Sequence, residues 1–179
     1  MNKSITIKKI TVSAILTSLA LIAFTLENLF PPIIIPGAKL GLSNIFILLT
    51  FFSAGSLFSF LGLTVKVILG SLFTGNFSTL IYSLPSGIIA LAIEILLFEK
   101  TNGVSIPAIS TVGSLVNVFI QNLVFCLVTS TLEYISFLPY LALISTFSGL
   151  TVGLVVHFLI KKIPSKMFFT FKEENLEHI

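Results

Sequence analysis

The sequence predicts an all-α membrane protein, a single polytopic bundle of about six transmembrane helices. Of its 179 residues, 55% are hydrophobic and only 9% are charged, whereas soluble domains carry about 25% charged residues. Long apolar runs alternate with short turn sequences. At ~20 residues per span, the length accommodates about six helices in one membrane domain and leaves no room for a soluble catalytic domain.

The predicted helices follow the apolar runs between clusters of glycine, proline, serine and asparagine. Their spans are 10–28, 40–52, 57–72, 77–98, 106–130 and 136–159, and the second is short. Pro85 predicts a kink in the fourth helix. The first run superficially resembles a signal peptide, but it is long enough to span a membrane and no small-x-small cleavage site ends it, so we interpret it as an uncleaved first helix.

The distribution of lysines predicts the orientation of the bundle. With both termini in the cytoplasm, eight of the ten lysines lie on the cytoplasmic side, Lys39 faces outward and Lys66 is buried. This asymmetry follows the positive-inside rule. We therefore expect a multi-pass protein of a bacterial cytoplasmic membrane, with residues 165–179 as a cytoplasmic tail. The net charge of +3 lies mostly at helix ends and does not indicate nucleic-acid binding.

Residues 29–39 form an apolar segment that cannot be one continuous helix. Pro31, Pro32 and Pro36 each remove a backbone donor, and Gly37 follows Pro36 directly. Irregular backbone at membrane depth needs protein or a water-filled cavity to satisfy it. The sequence thus predicts an extracytoplasmic lid over a cavity, with Pro36 and Gly37 as lid residues; a plain apolar connector is the alternative.

Polar side chains inside the predicted helices are the candidate ligand-binding groups. Lys66 lies about 15 Å from the cytoplasmic end of its helix, near the middle of the bilayer. Asn117 and Gln121 share one helix face at similar or slightly greater depth. Ionisable groups at such depth are costly and commonly functional. Glu27, Lys39 and Asn44 lie nearer the lid. Together the six residues predict a site for a small anionic or amphipathic ligand: Glu27, Lys39, Asn44, Lys66, Asn117 and Gln121.

Structural roles for these groups remain open. Lys66 either extends its amine to the membrane surface or forms an ion pair with Glu94. Glu94 lies only ~6 Å from the cytoplasmic end of its helix, so by depth alone the pair is disfavoured. For Asn117 and Gln121, the structural alternative is hydrogen bonding to neighbouring helices.

Small residues predict close helix contacts. Ala14 and Ser18 are four residues apart in the first helix, as are Ser13 and Thr17, and Gly149 and Gly153 form a GxxxG pair in the sixth. Such spacing lets helices approach closely in lipid. Ala14 and Ser18 are candidates for docking a partner helix, with internal packing as the alternative.

Several kinds of chemistry find no support in the sequence. There is no phosphate-binding loop for ATP hydrolysis and no aspartate for a magnesium cluster. No nucleophile and base are paired, and His157 has no second His or Cys to suggest a metal site. Cys126 is the single cysteine, and we interpret it as a small core residue. We therefore expect no cofactor, no metal and no catalytic residue.

Four stretches carry a resemblance to a known family. The sequence PGAKLGLSN at positions 36–44 resembles the P-G-x-K-L-G-L-A-N signature of the Gx transporter family, also described as heptaprenyl diphosphate synthase component I. Glu27 resembles that family's acidic end of helix one. KVILGSLFTG from position 66 is similar to R-V-L-L-G-S-L-L-F-G, and SLPSG from position 83 to S-L-x-G-G.

The chain departs from the family pattern at two places. Lys66 replaces the family's arginine, which keeps the charge but loses the planar two-pronged donor. In helix five, Asn117 stands where the family usually carries histidine and Val118 where it carries asparagine, while Gln121 is retained.

The resemblance implies one of three roles. The family is similar to the substrate-binding S subunits of energy-coupling-factor importers, which implies a small-molecule ligand, a transmembrane coupling subunit docked at Ala14 and Ser18, and separate ATPases. The synthase name implies instead a soluble prenyl synthase as partner. Some relatives are associated with flavin-linked extracytoplasmic redox systems. Prenyl elongation relies on aspartate-rich magnesium sites, so the resemblance does not imply catalysis by this chain.

Overall fold

The computed structural model describes residues 3–29, 41–101 and 103–162. These ranges contain six α-helices and no strand: α1 Lys3–Leu29, α2 Leu42–Ala54, α3 Ser56–Thr74, α4 Phe77–Lys100, α5 Ile106–Thr129 and α6 Leu138–Lys162, with a 3-10 helix at Leu132–Phe137. Five of the six are long and apolar enough to cross a membrane. The prediction of an all-α membrane bundle is confirmed. Pro36, Gly37 and Lys39, and the predicted tail, lie outside the described residues.

The helix boundaries agree with the turn residues, with three adjustments. α1 begins at Lys3 rather than at residue 10, and the 3-10 helix precedes α6 where the sequence predicted a single helix from residue 136. α4 runs to Lys100, two residues beyond the predicted end, and includes Pro85; the kink at Pro85 stays a prediction. Single glycines, Gly55 (φ 105°) and Gly75 (φ 65°), separate α2 from α3 and end α3, because a residue without a side chain adopts positive φ at little cost.

The helices form a closed ring in which successive helices are antiparallel. α1 and α3 run parallel, since Thr17 faces Gly62 and Phe24 faces Gly70. α6 packs along α5 through Gly149 and Gly153, where an added Cβ would lie 2.8 Å from Ser110 O and 2.4 Å from Pro107 Cα. The predicted GxxxG pair therefore packs within the chain.

α2 is the buried centre of the bundle. Ten of its 13 residues are buried, whereas the long helices expose large side chains such as Leu57, Phe73, Leu127 and Phe147. Apolar side chains on the outside and serine, threonine and lysine among the buried residues suit a protein whose solvent is lipid.

Candidate functional site

α2 is too short to cross the bilayer, and its amino-terminal end stops inside the bundle. Thirteen residues extend about 20 Å, against a hydrocarbon core of about 30 Å. Gly41, which immediately precedes α2, packs against Ser148 and Val152 near the middle of α6. Gly41 has φ 71°, which glycine adopts readily. The five longer helices continue beyond this point, so a cavity forms between them above the start of α2.

This polar cavity brings together five of the six predicted ligand-binding residues. Glu27, Asn44, Lys66, Asn117 and Gln121 all line it, and Lys39 lies outside the described residues. The enclosed space is about 60 Å³ for the centres of water-sized molecules, which is room for a few waters or one compact polar group. Residues up to 94 positions apart in the sequence therefore meet at one place.

Lys66 provides the buried positive charge of the polar cavity. Only 3% of its surface is exposed. Its Nζ donates hydrogen bonds to Asn44 Oδ1 at 2.7 Å and to Ser43 Oγ at 3.0 Å, and it lies 5.9 Å from the centroid of the Phe24 ring. Neutral acceptors and an aromatic face orient the ammonium, but their dipoles do not replace a counter-charge.

Glu94 also faces Lys66, contrary to the expectation from depth. Its carboxylate interacts electrostatically with the Lys66 ammonium. Because the Cα–Cβ bond of a helical residue tilts toward the helix amino terminus, side chains on the antiparallel helices α3 and α4 lean toward each other, and a count of backbone rise overestimated their separation. The carboxylate lies against Gly113, where an added Cβ would be 2.0 Å from Glu94 Oε1. Gly113 thus makes room for Glu94 one helical turn below Asn117.

Glu27 links the end of α1 to the start of α2, the two helices that flank residues 30–40. Its Oε1 accepts a 2.7 Å hydrogen bond from the backbone N–H of Leu42, the first residue of α2. The amino end of a helix carries unsatisfied N–H groups and partial positive charge, so a carboxylate there is favourable. Glu27 therefore stabilises the amino end of α2 and also places a carboxylate at the edge of the polar cavity.

Three other groups of the polar cavity have unused hydrogen-bonding capacity. Within the described ranges, neither the Asn117 nor the Gln121 side-chain amide forms a hydrogen bond. Ser145 Oγ is buried and has no partner in the same ranges. Buried polar groups are paired in the great majority of proteins, so the unpaired Ser145 hydroxyl, with the two amides beside it, makes the polar cavity a candidate binding site.

A family model assigns the chain. The model for heptaprenyl diphosphate synthase component I matches residues 16–159, which include the whole polar cavity. The chain belongs to the heptaprenyl diphosphate synthase component I family. That component is the non-catalytic one. No curated protein and no solved structure shows significant similarity to the chain.

Sequence reasoning missed the serines that line the cavity of this component I protein. Ser43, Ser83, Ser114, Ser145 and Ser148 contribute hydroxyl groups from four different helices. Serines in apolar helices commonly pack against other helices, and Ser114 does so by donating to Ser145 O at 2.8 Å. The recurrence of serine at helical spacing, as in Ser110–Ser114 and Ser145–Ser148, was a signal available in the sequence.

The predicted docking residues of α1 divide between two faces. Ala14 and Ser18 are exposed, whereas Ser13 is buried and Thr17 packs against Gly62 of α3. The inner pair therefore serves packing within the chain. The outer pair lies on a face that no other described helix of this component I protein covers, beside the exposed side chains of Ile15 and Ile22.

Among the described residues, no three His, Cys, Asp or Glu side chains come together at one place. Of the described acids, Glu27 accepts a hydrogen bond from the backbone N–H of Leu42, whereas Glu94 faces Lys66. The polar cavity offers a ligand one cation surrounded by amide and hydroxyl groups, with the Glu27 carboxylate at its edge, and this chemistry suits binding.

Proposed function

We propose that this component I protein is the substrate-binding, S-type subunit of an energy-coupling-factor-like importer in a bacterial cytoplasmic membrane. Its ligand contacts Lys66, Asn44, Asn117 and Gln121, with Glu27 at the edge of the site. The observation that carries the proposal is the polar cavity itself, where a buried lysine lies beside three polar groups that have no hydrogen-bond partner among the described residues.

Energetics supports a ligand over a purely structural role. Burial of a charge in a low-dielectric interior costs several kcal/mol unless partners compensate it. Ser43 and Asn44 contribute only neutral acceptors, and the Glu94 carboxylate faces Lys66 from α4. The unpaired Asn117, Gln121 and Ser145 groups do nothing for Lys66 in the absence of a guest. An anionic ligand would satisfy all four groups at once.

The site opens on the extracytoplasmic side in this proposal. The cavity lies above the amino end of α2, and its lining includes Glu27 near the end of α1 and Lys66 in α3. α1 and α3 both run toward the side that the lysine distribution assigns to the outside. A binding site in the outer half of the bundle suits the capture of a molecule from outside the cell.

Import requires energy that this chain does not provide, since the sequence contains no phosphate-binding loop. The exposed Ala14 and Ser18 face of α1 supports docking to a transmembrane coupling subunit, because small side chains allow a second helix to approach closely. Separate ATPases would then power the transport.

The family description favours a second function. A component I protein could act as a membrane partner that holds a soluble prenyl synthase at the bilayer. The aspartate-free sequence fits a non-catalytic role, but this function gives no reason for a buried cation with unpaired amides around it.

Affinity purification of the full chain from native membranes separates the two functions. Co-elution of a coupling subunit and ATPases supports the importer; co-elution of a prenyl synthase without them supports the second function and contradicts the first. Ala14→Leu should abolish the co-elution of the coupling subunit. Ala108→Leu, at an exposed alanine of α5, is the matched control and should leave it unchanged.

A further inference from the structure

A second cavity adjoins the polar cavity and is lined by aromatic rings. It has about 130 Å³ for the centres of water-sized molecules, more than twice the space beside Lys66, and it lies among α4, α5, the 3-10 helix and α6. Val118 and Gln121 line both cavities. We call the second cavity, lined by Tyr82, Phe125, Tyr134 and Leu141 with Asn122, the aromatic annex.

The rings of the aromatic annex form a continuous chain. The ring centroids of Tyr82 and Phe125 lie 5.9 Å apart at an interplanar angle of 74°, and those of Phe125 and Tyr134 lie 4.5 Å apart at 49°. These are the edge-to-face and tilted arrangements that aromatic pairs prefer. Such walls favour a flat or unsaturated apolar group over a bulky saturated one.

The 3-10 helix holds one wall of the annex in place. Tyr134 belongs to Leu132–Phe137, and its ring also contacts that of Phe137 at 5.5 Å. The buried Asn122 donates from Nδ2 to the Tyr134 carbonyl at 3.5 Å. A polar group buried in α5 is thus used to hold the connecting segment over the annex, next to Gln121 of the polar cavity.

The two cavities differ in the chemistry they can accept. The polar cavity takes only a compact group, and it holds the buried Lys66 ammonium. The annex is larger and mainly apolar. Gln121 and Val118 line both cavities, so a molecule with its head at Lys66 and its body in the annex would pass these two side chains.

We propose that the ligand is an amphipathic anion, with its anionic head at Lys66 and an unsaturated, apolar body among Tyr82, Phe125 and Tyr134. This inference rests on the proposed ligand site and specifies its substrate class. Two sources share this chemistry, a prenyl phosphate with a branched unsaturated chain and an aromatic acid or phosphate. Both place one anionic group a short distance from a π-system.

Isothermal titration of the full chain in lipid nanodiscs tests the inference. The probes are geranyl phosphate, 2-naphthyl phosphate and inorganic phosphate, which supplies the head alone. Phe125→Leu removes a ring of the annex, and Phe119→Leu is its matched control because Phe119 lies on the same helix and is 50% exposed. Lys66→Met removes the charge at the head.

We expect Phe125→Leu to weaken binding of a complete probe about three- to tenfold, as loss of aromatic contacts does, with Phe119→Leu unchanged and Lys66→Met without binding. If Phe125→Leu weakens the binding of geranyl phosphate alone, the result identifies the prenyl source. If it weakens the binding of 2-naphthyl phosphate alone, the result identifies the aromatic source. Equal effects of the two phenylalanine variants, equally tight binding of inorganic phosphate, or binding of neither complete probe would overturn the inference.

The test also distinguishes failure of the annex from failure of the ligand site. If inorganic phosphate binds in a Lys66-dependent manner but Phe125→Leu changes nothing, the result supports the polar cavity as a ligand site and contradicts the role proposed for the annex. Tyrosine fluorescence gives an independent readout, since the chain has three tyrosines and no tryptophan. In Tyr140→Phe the remaining emission comes from Tyr82 and Tyr134, both in the annex, and bound 2-naphthyl phosphate should quench it.

Discussion

The ammonium of Lys66 and the side chain of Asn44 are joined by a 2.7 Å hydrogen bond between α3 and the start of α2. The two residues lie 22 positions apart, and the bond links a buried charge in a long helix to the end of a helix that stops inside the bundle. This contact holds the amino end of α2 beside the middle of α3. Both residues line the polar cavity, so the bond lies in its wall.

Asn44→Ala should destabilise the protein by about 1.5–3 kcal/mol, the range for a hydrogen bond to a charged group. Thermal unfolding of the purified protein in detergent measures the loss as a midpoint lower by several degrees. Asn28→Ala is the control, because Asn28 Nδ2 makes a hydrogen bond of the same length, 2.7 Å, to the neutral carbonyl of Phe24. An Asn44→Ala midpoint no lower than that of Asn28→Ala would show that Asn44 contributes nothing special to Lys66.

Glu27→Gln should loosen the start of α2 without unfolding the bundle. The substitution keeps an acceptor for the Leu42 N–H but removes the negative charge that favours a helix amino terminus, an effect of about 0.3–1 kcal/mol. Hydrogen exchange at the Leu42 amide should be about two- to fivefold faster. The matched variant Glu99→Gln, at an exposed position near the end of α4, should not change that rate; an unchanged rate in Glu27→Gln would rule out the cap.

Gly113→Ala should conflict with Glu94, whose side chain supplies the three atoms nearest to the added Cβ. The added Cβ would lie 2.0–2.4 Å from the Glu94 carboxylate and Cγ, so removal of that side chain relieves the conflict. We expect Gly113→Ala to destabilise the wild type but to have a smaller effect in a Glu94→Ala background, a non-additivity that double-mutant thermal unfolding measures. Gly153→Ala meets the backbone of Pro107 at 2.4 Å, and Glu94→Ala should not relieve it. Additive effects of Gly113→Ala and Glu94→Ala would contradict the packing.

The orientation in the membrane is open to a direct chemical test. Cys126 is the single cysteine and is buried, so new cysteines report without removal of reactive background. Lys100→Cys and Glu133→Cys introduce exposed thiols at opposite ends of the bundle. With cytoplasmic termini, an impermeant maleimide added to intact cells should label the Glu133→Cys protein and spare the Lys100→Cys protein. The reverse pattern would contradict the topology and the extracytoplasmic opening of the site.

Much of the fold was readable from the sequence because the signals are local. Long apolar runs specify the spanning helices in a solvent that demands internal hydrogen bonding. Gly75 and the segment before Pro107 specify two of the turns. The 3-10 helix at Leu132–Phe137 was not predicted, since its contacts are tertiary: the Asn122 hydrogen bond to Tyr134 and the ring contacts of Phe125.

The candidate site was readable only in part. Lys66, Asn117 and Gln121 were recognisable because polar groups at membrane depth are costly. The electrostatic interaction between Lys66 and Glu94 was underrated because a count of helical rise ignores the direction of side chains. The aromatic annex was not predicted, because phenylalanine and tyrosine in an apolar run have the same pattern whether they face lipid or line a cavity. The difference between exposed Phe119 and half-buried Phe125 lies in packing alone.

The most direct test of the central claim, that Lys66 is the counter-charge of a bound ligand, is native mass spectrometry of the protein purified from its own membranes. The wild type and the control Lys100→Met, at an exposed lysine, should each carry a small anionic molecule as a discrete mass increment. Lys66→Met should insert in the membrane and purify as folded protein without that increment. Retention of the same molecule by Lys66→Met at wild-type occupancy would contradict the account.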